Sequence, residues 1–358
     1  MNENLVSIVI PAWNGTEHIR DCLRAVLAQN CKGKEIIVVD NNSQDGLCDI
    51  VEQEFPLVRL IKNERNLGFS GGCNVGIDAA GGDPIVLLNQ DTVVDPNWLE
   101  HLISEFETDP AVGIAGSVCR YPDGRIQTSG GYIDERGSSY HMTDGSTSDQ
   151  LRHTRNSFDD SGYVSGAALA ISRKALTRVG KLDEGFHPAY YEDVDWCYRA
   201  RRSGYRVVVA PNSHLIHKEE SRLIDGRYHS TYHYHRNRLR FVFKHWSTNR
   251  IMGDFFLMEK VWLEDSQLGA EVLVAAVHRA YLHHILHVSE VTRERQRSKI
   301  HTTGDGDNIV RVLSALRSIF PIGPARLPIR EEEHSNETID QWRRVIHNEP
   351  ECHEVDAI

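Results

Sequence analysis

Short apolar runs alternate with amphipathic stretches through the first part of the chain. The runs that fit buried strands are residues 6–10, 35–39, 58–61 and 84–88. The stretches that fit helices lie between them, at residues 17–29, 44–55 and 71–80. Strands that are apolar along their whole length and separated by helices are typical of a parallel sheet covered on both faces. The pattern therefore predicts an α/β fold with a mostly parallel sheet flanked by helices.

The pattern changes twice after this repeat. Residues 121–161 are polar and rich in Gly and Ser, and we expect loops with an antiparallel insertion there. From about Arg236 the apolar spacing becomes helical. Further strands are predicted at residues 112–118, 164–172 and 205–210, and further helices at 255–263 and 268–288. The predicted domains are a sheet domain over 1–235, a helical extension over 236–330 and an acidic tail over 331–358.

The charge of the chain is unevenly distributed, and it bears on which classes of molecule the protein can bind. The net charge is −11, and residues 331–358 hold nine acidic residues against two arginines. Such a tail is usually solvated, so we expect it to be dispensable for folding. The overall balance argues against nucleic acid as a partner. Hydrophobic and charged contents of 40% and 25% are those of an ordinary globular protein.

Targeting and redox features lead us to expect a cytoplasmic protein. No apolar run approaches the roughly 18 residues that span a bilayer. The amino terminus lacks the basic region and cleavage site of a signal peptide. Seven cysteines without C-x-x-C spacing fit reduced thiols better than disulfides or a zinc site.

Polar residues follow the predicted strands at the edge where parallel sheets bind ligands. Asp40 ends the second strand and could accept a hydrogen bond from a pyrimidine imide or a ribose hydroxyl; it could equally cap the next helix. Residues 66–72 are rich in glycine, which lets a ligand approach the backbone closely. A helix that begins at Gly71 would point its positive end at that ligand. The segment is neither G-x-G-x-x-G nor a P-loop.

Asn89 and Asp91 follow the fourth strand two residues apart, so their side chains point to the same side. Their oxygens could hold a hard divalent cation that binds a diphosphate, although an Asp in a turn is the plain alternative. His217, predicted to lie a short loop after residues 205–210, is a candidate third ligand. A single His in a chain with 19 of them often has no such role.

Three carboxylates, Glu192, Asp193 and Asp195, lie among aromatic residues. Crowding and apolar neighbours raise the pKa of a carboxyl group, which suits a general base. The alternative is that these acids stabilise the N-terminus of a helix.

Six motifs occur in the order found in one enzyme family. They are VSIVIPAWN at 6–14, EIIVVDNNS at 35–43, the glycine-rich residues 66–76, LLNQDT at 87–92, SGAA at 165–168 and YEDVD at 191–195. Together they resemble the inverting family-two glycosyltransferases of GT-A fold, closest to the bacterial rhamnosyltransferase-like branch. The resemblance covers about residues 5–245.

The resemblance implies a nucleotide-sugar donor, with dTDP-rhamnose or a UDP-hexose favoured, and a glycan or lipid-linked acceptor. It implies that Asp91 binds Mn²⁺ or Mg²⁺ at the diphosphate and that Asp193 is the catalytic base, with Glu192 as the competing candidate. The family often has Asp where this chain has Asn89, so one negative charge is missing from the metal site. By the resemblance, Asp40 contacts the nucleotide base. The other residues assigned to nucleotide binding are Pro11, Ala12, Trp13, Asn14, Asn42, Asn66, Gly71, Asn89 and Gln90.

Other classes of function stay open at this stage. A non-catalytic nucleotide-sugar-binding protein would be expected to lose Asp91 or Asp193, and both are present. A nucleotidyltransferase would be expected to have a basic glycine-rich loop after the first strand, whereas residues 11–15 contain no Lys or Arg. A dehydrogenase would need G-x-G-x-x-G at the same place.

Residues 228–246 mix basic and aromatic side chains in a helical stretch. Such a surface helix could contact an anionic membrane interface, where lipid-linked acceptors reside. The alternative is that the helix packs on the catalytic domain and helps to hold the diphosphate.

Overall fold

The computed structural model describes residues 5–31, 33–142, 162–218, 227–265 and 271–287, together with Glu290, Arg293 and Arg295. The chain divides into two compact units, Met1–Leu223 and Ile224–Ile358. The predicted tail at 331–358 and residues 143–161 of the predicted insertion lie outside the described residues.

The first unit contains two sheets and six labelled helices among its described residues. The strands are β1 (Val6–Ala12), β2 (Lys34–Asp40), β3 (Arg59–Lys62), β4 (Ile85–Leu88), β5 (Thr92–Val94), β6 (Val112–Arg120), β7 (Ile126–Thr128), β8 (Gly131–Ile133), β9 (Ser139–His141), β10 (Gly162–Tyr163), β11 (Ala168–Ile171) and β12 (Arg206–His217). The helices are α1 (Ile19–Leu27), α2 (Leu47–Glu54), α3 (Gly68–Ala79), α4 (Trp98–Thr108), α5 (Arg173–Val179) and α6 (Glu192–Arg202), with a 3₁₀ turn at Glu184–Phe186.

In the part of the chain that is described, the large sheet has the order β3-β2-β1-β4-β11-β6-β12-β5, and β7 pairs with β6. Strands β3, β2, β1 and β4 are parallel, whereas β11 runs antiparallel between β4 and β6. The small sheet has the order β10-β8-β9. The prediction of a mostly parallel sheet flanked by helices is confirmed, and so is the antiparallel insertion over its described part.

Apolar side chains cover both faces of the central strands, as the sequence pattern requires. Every residue of β1 is buried. Helix α3 packs directly on this strand, because a Cβ added at Gly76 would lie 2.1 Å from a methyl carbon of Val9. A glycine at that position therefore sets how closely the helix approaches the sheet.

Two predicted boundaries in this unit are wrong, the start of helix α3 and the end of strand β12. Helix α3 begins at Gly68 rather than Gly71. Gly68 adopts φ +69°, a left-handed angle that glycine takes without a Cβ clash, so the chain turns at this residue as it enters the helix. Strand β12 continues past Ala210 to His217. Pro211 cannot donate a ladder hydrogen bond, and a register shift between Val209 and His214 accommodates it within the strand.

The second unit is helical where it is described. Its helices are α7 (Arg227–His245), α8 (Phe256–Asp265) and α9 (Glu271–Leu286), with the turns Thr248–Arg250 and Ile251–Phe255 between α7 and α8. Helix α7 covers all but the last residue of the helical stretch expected over residues 228–246 and begins before Arg236, where the apolar spacing becomes helical. Its last turns supply Phe241, Phe243 and, just beyond, Trp246 to the core of this unit. These three side chains are therefore not available to a membrane surface.

One ion pair is fully buried in this unit. Arg238 and Glu259 are each about 1% exposed at the side chain and share two hydrogen bonds, one of them 2.9 Å long. The Tyr281 hydroxyl lies 3.1 Å from the same guanidinium. The packing of α7 against α8 and α9 thus includes two charges that depend on each other.

Replacing Glu259 by alanine is expected to destabilise the second unit strongly, because Arg238 would stay charged in a buried position. Breaking such a pair costs about 3–5 kcal/mol, and a thermal melt would show it. The double variant Arg238→Met, Glu259→Leu is expected to recover most of that loss. The control is Lys181→Ala, which breaks an exposed pair with Asp78 and should cost less than about 1 kcal/mol. Equal losses in the two single variants would contradict the prediction.

Among the described residues, no helix combines the length and apolar character needed to cross a bilayer.

Candidate active site

Asp40 stands at the carboxyl end of β2 and is almost fully buried. Its two carboxylate oxygens accept the Ser43 amide at 3.1 and 3.2 Å. It does not cap α2, because that helix begins at Leu47, with Gly46 in the capping position. Burial, and after it the nearby Asp40 carboxylate, raises the pKa of the Cys48 thiol to about 12. The capping alternative is therefore excluded.

The loops after β1 and β2 are tied together by hydrogen bonds. The Asn14 amide donates to the Ser43 hydroxyl at 2.9 Å, and the Asn14 side-chain oxygen accepts the Gln44 amide at 2.8 Å. Asn14 and Asn42 both adopt left-handed backbone angles, with φ of +46° and +65°. Asn tolerates this conformation better than most residues, which explains why the sequence has Asn at both places.

Gln90 is held by the backbone of Trp13. Its side-chain oxygen accepts the Trp13 amide at 3.1 Å, and its side-chain nitrogen donates to the Trp13 carbonyl at 2.9 Å. Both ends of the Gln90 amide are thus engaged by one residue that lies 77 positions earlier in the chain.

Asp91 meets His217 across the β5–β12 pairing, in which Thr92 lies opposite His217. The Asp91 carboxylate is 3.3 Å from His217 Nε2. Gln127 lies on the other side of the ring, with its side-chain oxygen 2.9 Å from Nδ1. Because the Gln127 oxygen can only accept, Nδ1 of His217 carries a proton. In a neutral ring the lone pair of Nε2 then faces Asp91, and in a protonated ring Nε2 donates a hydrogen bond to the Asp91 carboxylate. The sequence suggested that His217 follows this strand by a short loop. In the structure His217 is the last residue of strand β12 itself.

Burial by itself would raise the pKa of Asp91, but the hydrogen bond and charge of protonated His217 outweigh it and hold that pKa below its usual value. Asn89 completes the group, with its side-chain nitrogen 3.4 Å from His217 Nε2. The Asn89 side-chain oxygen is buried and has no hydrogen-bond partner.

These residues fit a divalent cation. The Asp91 carboxylate and the side-chain nitrogen of Asn89 both lie next to His217 Nε2, and the Asn89 oxygen is buried without a hydrogen-bond partner. A carboxylate, an imidazole nitrogen and an amide oxygen are all ligand types that Mn²⁺ accepts. Over the described ranges, no three His, Cys, Asp or Glu side chains gather into a metal-binding group. The group of Asn89, Asp91 and His217 contains only two such side chains, because it has Asn89 where the family often has Asp.

Asp193 is placed in the first turn of α6, with its carboxylate tied to the neighbouring loop. One oxygen accepts the Gly166 amide at 2.9 Å and the other accepts the Val194 amide at 2.8 Å. Burial raises the pKa of Asp193, and these two N–H groups only partly offset the effect. The residue as a whole is half-buried, and the two amide hydrogen bonds fix the orientation of its carboxylate.

The two neighbouring carboxylates differ from Asp193. Glu192 is buried, one of its oxygens has no hydrogen-bond partner, and burial together with the Asp193 charge raises its pKa well above the usual value. Asp195 is fully buried and forms an ion pair with Arg199 at 2.7 Å. Of the three, Asp193 has the geometry that a base at the surface of the site needs.

Tyr191 links the catalytic-candidate helix α6 to the small sheet, and sequence reasoning missed it. Its hydroxyl donates to the Gly137 carbonyl at 2.7 Å and accepts the Ser139 amide at 3.1 Å. Its backbone is left-handed, with φ +73°, which is rare for an aromatic residue. Such strain is retained where surrounding contacts fix the residue.

The glycine-rich segment does not present an open helix end at Gly71. Because α3 begins at Gly68, the Gly71 amide lies inside the helix. At the true start, the Gly68 amide donates to the Asn66 side chain at 2.8 Å and the Phe69 amide to the Pro188 carbonyl at 2.8 Å. The helix-dipole argument for Gly71 is therefore wrong, and its contact with a nucleotide stays a prediction from the resemblance.

Asn41 also escaped the sequence reasoning, although it stands beside Asp40. Its side-chain nitrogen donates to the Gly68 carbonyl at 3.2 Å, and its oxygen accepts the Asn63 side chain at 2.8 Å. Asn41 thereby joins the loop after β2 to the start of α3. The only sequence signal was an Asn directly after a buried strand.

A continuous path of contacts joins the three candidate carboxylates. It runs from Asp40 through Ser43, Asn14, Trp13 and Gln90 to Asp91, and from Asn89 through Ala167 and Gly166 to Asp193. The link between Asn89 and Ala167 is a backbone hydrogen bond of 2.9 Å. Asp40 and Asp91 therefore lie at the sheet edge that the sequence predicted for them, and Asp193 lies beside the same edge through its bond to Gly166.

Comparison with known proteins agrees with this arrangement. The model of the family described as Glycosyl transferase family 2 matches residues 7–180. The chain therefore contains a glycosyl transferase family 2 domain. An N-acetylglucosaminyl-diphospho-decaprenol L-rhamnosyltransferase of Mycobacterium tuberculosis is 25% identical over 60% of this chain and 76% of its own length. The family resemblance inferred from the motifs is thus confirmed.

Another relative is much longer than this chain. An uncharacterized protein of Sinorhizobium fredii is 29% identical over 61% of this chain, and this chain spans 25% of that relative's length. The crystal structure of GalNAc-T7 with UDP, GalNAc and Mn²⁺ superposes with a TM-score of 0.58 at 17% identity, covering 83% of this chain and 55% of that one. This likeness confirms the GT-A fold.

Proposed function

We propose that the protein transfers a sugar from a nucleotide-diphosphate donor to an acceptor hydroxyl with inversion at the anomeric carbon. The observation that carries the proposal is the path of contacts that places Asp40, Asp91 and Asp193 along one sheet edge. Such a transfer needs three parts. They are a carboxylate that binds the nucleobase or ribose of the donor, a cation site for its diphosphate, and an oriented general base.

The reaction is a single displacement. Asp193 accepts the proton of the acceptor hydroxyl while the acceptor oxygen bonds to the anomeric carbon and the bond to the diphosphate breaks. The base and the leaving group lie on opposite faces of the sugar, so the configuration inverts. Asn89, Asp91 and His217 would hold a divalent cation, which supplies charge neutralisation for the departing diphosphate.

The choice of donor and acceptor rests on the relatives. The rhamnosyltransferase relative carries its acceptor class in its name, a sugar on a polyprenyl diphosphate. We propose dTDP-rhamnose as the first donor to test, followed by UDP-hexoses, and a lipid-linked glycan as the acceptor. A lipid-linked acceptor also supports a site of action at the cytoplasmic face of a membrane, where the half-buried first turns of α7 are the candidate contact.

The test is a donor and acceptor panel. The protein with Mn²⁺ is mixed with dTDP-rhamnose, UDP-hexoses or GDP-mannose and with N-acetylglucosamine on a short polyprenyl diphosphate, and release of nucleoside diphosphate is measured. We expect one donor to give acceptor-dependent release. Tight binding of a nucleotide sugar with no release for any acceptor would make the protein a non-catalytic binder.

A further inference from the structure

Gln90 lies between Asn89 and Asp91, which with His217 make up the proposed cation group, yet its own side chain turns toward the loop after β1. Both of its hydrogen bonds, at 3.1 and 2.9 Å, go to the backbone of Trp13. A glutamine side chain that bonds both the N–H and the C=O of one residue copies the pairing of a neighbouring strand. It therefore fixes the position and the orientation of that backbone.

Gly15 makes room for this contact. A Cβ at position 15 would lie 2.1 Å from the Gln90 side-chain oxygen and 2.6 Å from its nitrogen. These distances are far shorter than any real contact, so the Gln90 amide would have to leave its place. Gly15 has no left-handed backbone angle, and the clash with Gln90 is therefore what excludes a side chain there.

We propose that Gln90 is a positioning residue that locks the loop Trp13–Asn14–Gly15 to the cation group, and that Gly15 is the space this lock occupies. The Trp13 end of the loop continues to Asn14, Ser43 and Asp40. Gln90 is thus the link by which the nucleotide loops and the residues for the diphosphate keep a fixed separation. The lock replaces direct contact between Gln90 and the nucleotide, and it relies on the proposed function only for the identity of the ligand.

The test is a double-variant cycle with Gln90→Ala and Gly15→Ala. Titrations use UDP and dTDP with Mn²⁺ present. Each single variant is expected to weaken nucleotide binding about tenfold, the equivalent of losing roughly one net hydrogen bond. The double variant is expected to bind no worse than Gln90→Ala alone, because the methyl group added at position 15 then meets no amide. Gln53→Ala, an exposed glutamine on α2, is the matched control and should bind as the unaltered protein does.

A second readout does not depend on any ligand. Hydrogen exchange of the Trp13 amide is expected to quicken in Gln90→Ala and in Gly15→Ala but not in Gln53→Ala, since only the first two free that N–H. If the unaltered protein binds no nucleotide, the proposed function fails while the exchange result still decides the lock. Additive losses in the double variant, or unchanged exchange at Trp13, would overturn the lock.

Discussion

Asp193→Asn is expected to lower kcat by about 10²–10⁴-fold, the usual contribution of a general base. Asparagine keeps the size of the side chain but cannot take a proton. The two amides that hold the carboxylate, from Gly166 and Val194, limit any rearrangement. One of them loses its acceptor in the variant, which is a small structural penalty beside the catalytic one. Nucleotide affinity should hardly change, because Asp40 and the cation group lie on other strands.

The comparison that decides this prediction uses the neighbouring carboxylates. Glu192→Gln should lose far less turnover, because burial already raises the pKa of Glu192 and favours its neutral form. Asp195→Asn should act through stability, since it breaks the ion pair with Arg199. Near-normal turnover in Asp193→Asn with collapse in Glu192→Gln would move the base to Glu192. Loss of nucleotide binding in Asp193→Asn would make Asp193 a structural carboxylate.

The pH profile gives the same prediction a direction. Burial raises the pKa of Asp193, and the base must be deprotonated to work. Activity should therefore fall, as the pH is lowered, at a higher pH than an ordinary aspartate would give. In Asp193→Asn this acidic limb should disappear from the remaining activity.

Removal of the divalent cation is expected to have the other large effect. Lewis-acid neutralisation of a diphosphate leaving group contributes several kcal/mol, so excess chelator should lower turnover by about 10³-fold or more. Mn²⁺ or Mg²⁺ should restore it in the unaltered protein but not in Asp91→Ala. Direct Mn²⁺ binding, measured by calorimetry with UDP present, should be lost in the same variant. Full turnover in excess chelator would contradict the prediction.

Asn89→Asp is the companion variant. The Asn89 side chain lies beside His217 and its oxygen is buried without a hydrogen-bond partner, so a carboxylate at this position would add a negative charge next to the proposed ligands. We expect Mn²⁺ to bind more tightly in this variant. Unchanged Mn²⁺ affinity would remove Asn89 from the ligand set, and His217→Ala would then show whether the imidazole contributes.

Local patterns were sufficient for the parallel half of the fold and for the strand ends that carry function. Apolar runs fix β1, β2 and β4 because these strands are buried on both faces. Asp40 and Asp91 follow β2 and β4 directly, so their place at the sheet edge could be inferred from the strand ends alone.

Contacts between distant segments could not be inferred in this way. The hydrogen bonds from Gln90 to Trp13 join residues 77 positions apart, and no periodicity records such a pair. Tyr191 belongs to a recognisable motif, but its bonds to Gly137 and Ser139 depend on how the small sheet packs on α6. The extension of β12 through Pro211 depends on a register shift, which is a property of the pairing and not of the strand.

The place of β4 in the sheet order has a consequence for how the protein is made. Leu88 on β4 pairs with Ala168, eighty residues later, and Thr92 on β5 waits for His217 near the end of the unit. Pairings between such distant residues form late, because closing a long loop costs entropy before the contact repays it. On the ribosome, Asp91 emerges long before its partner on β12. We expect the contact between Asp91 and His217 in a growing chain to form only after that last strand has been released.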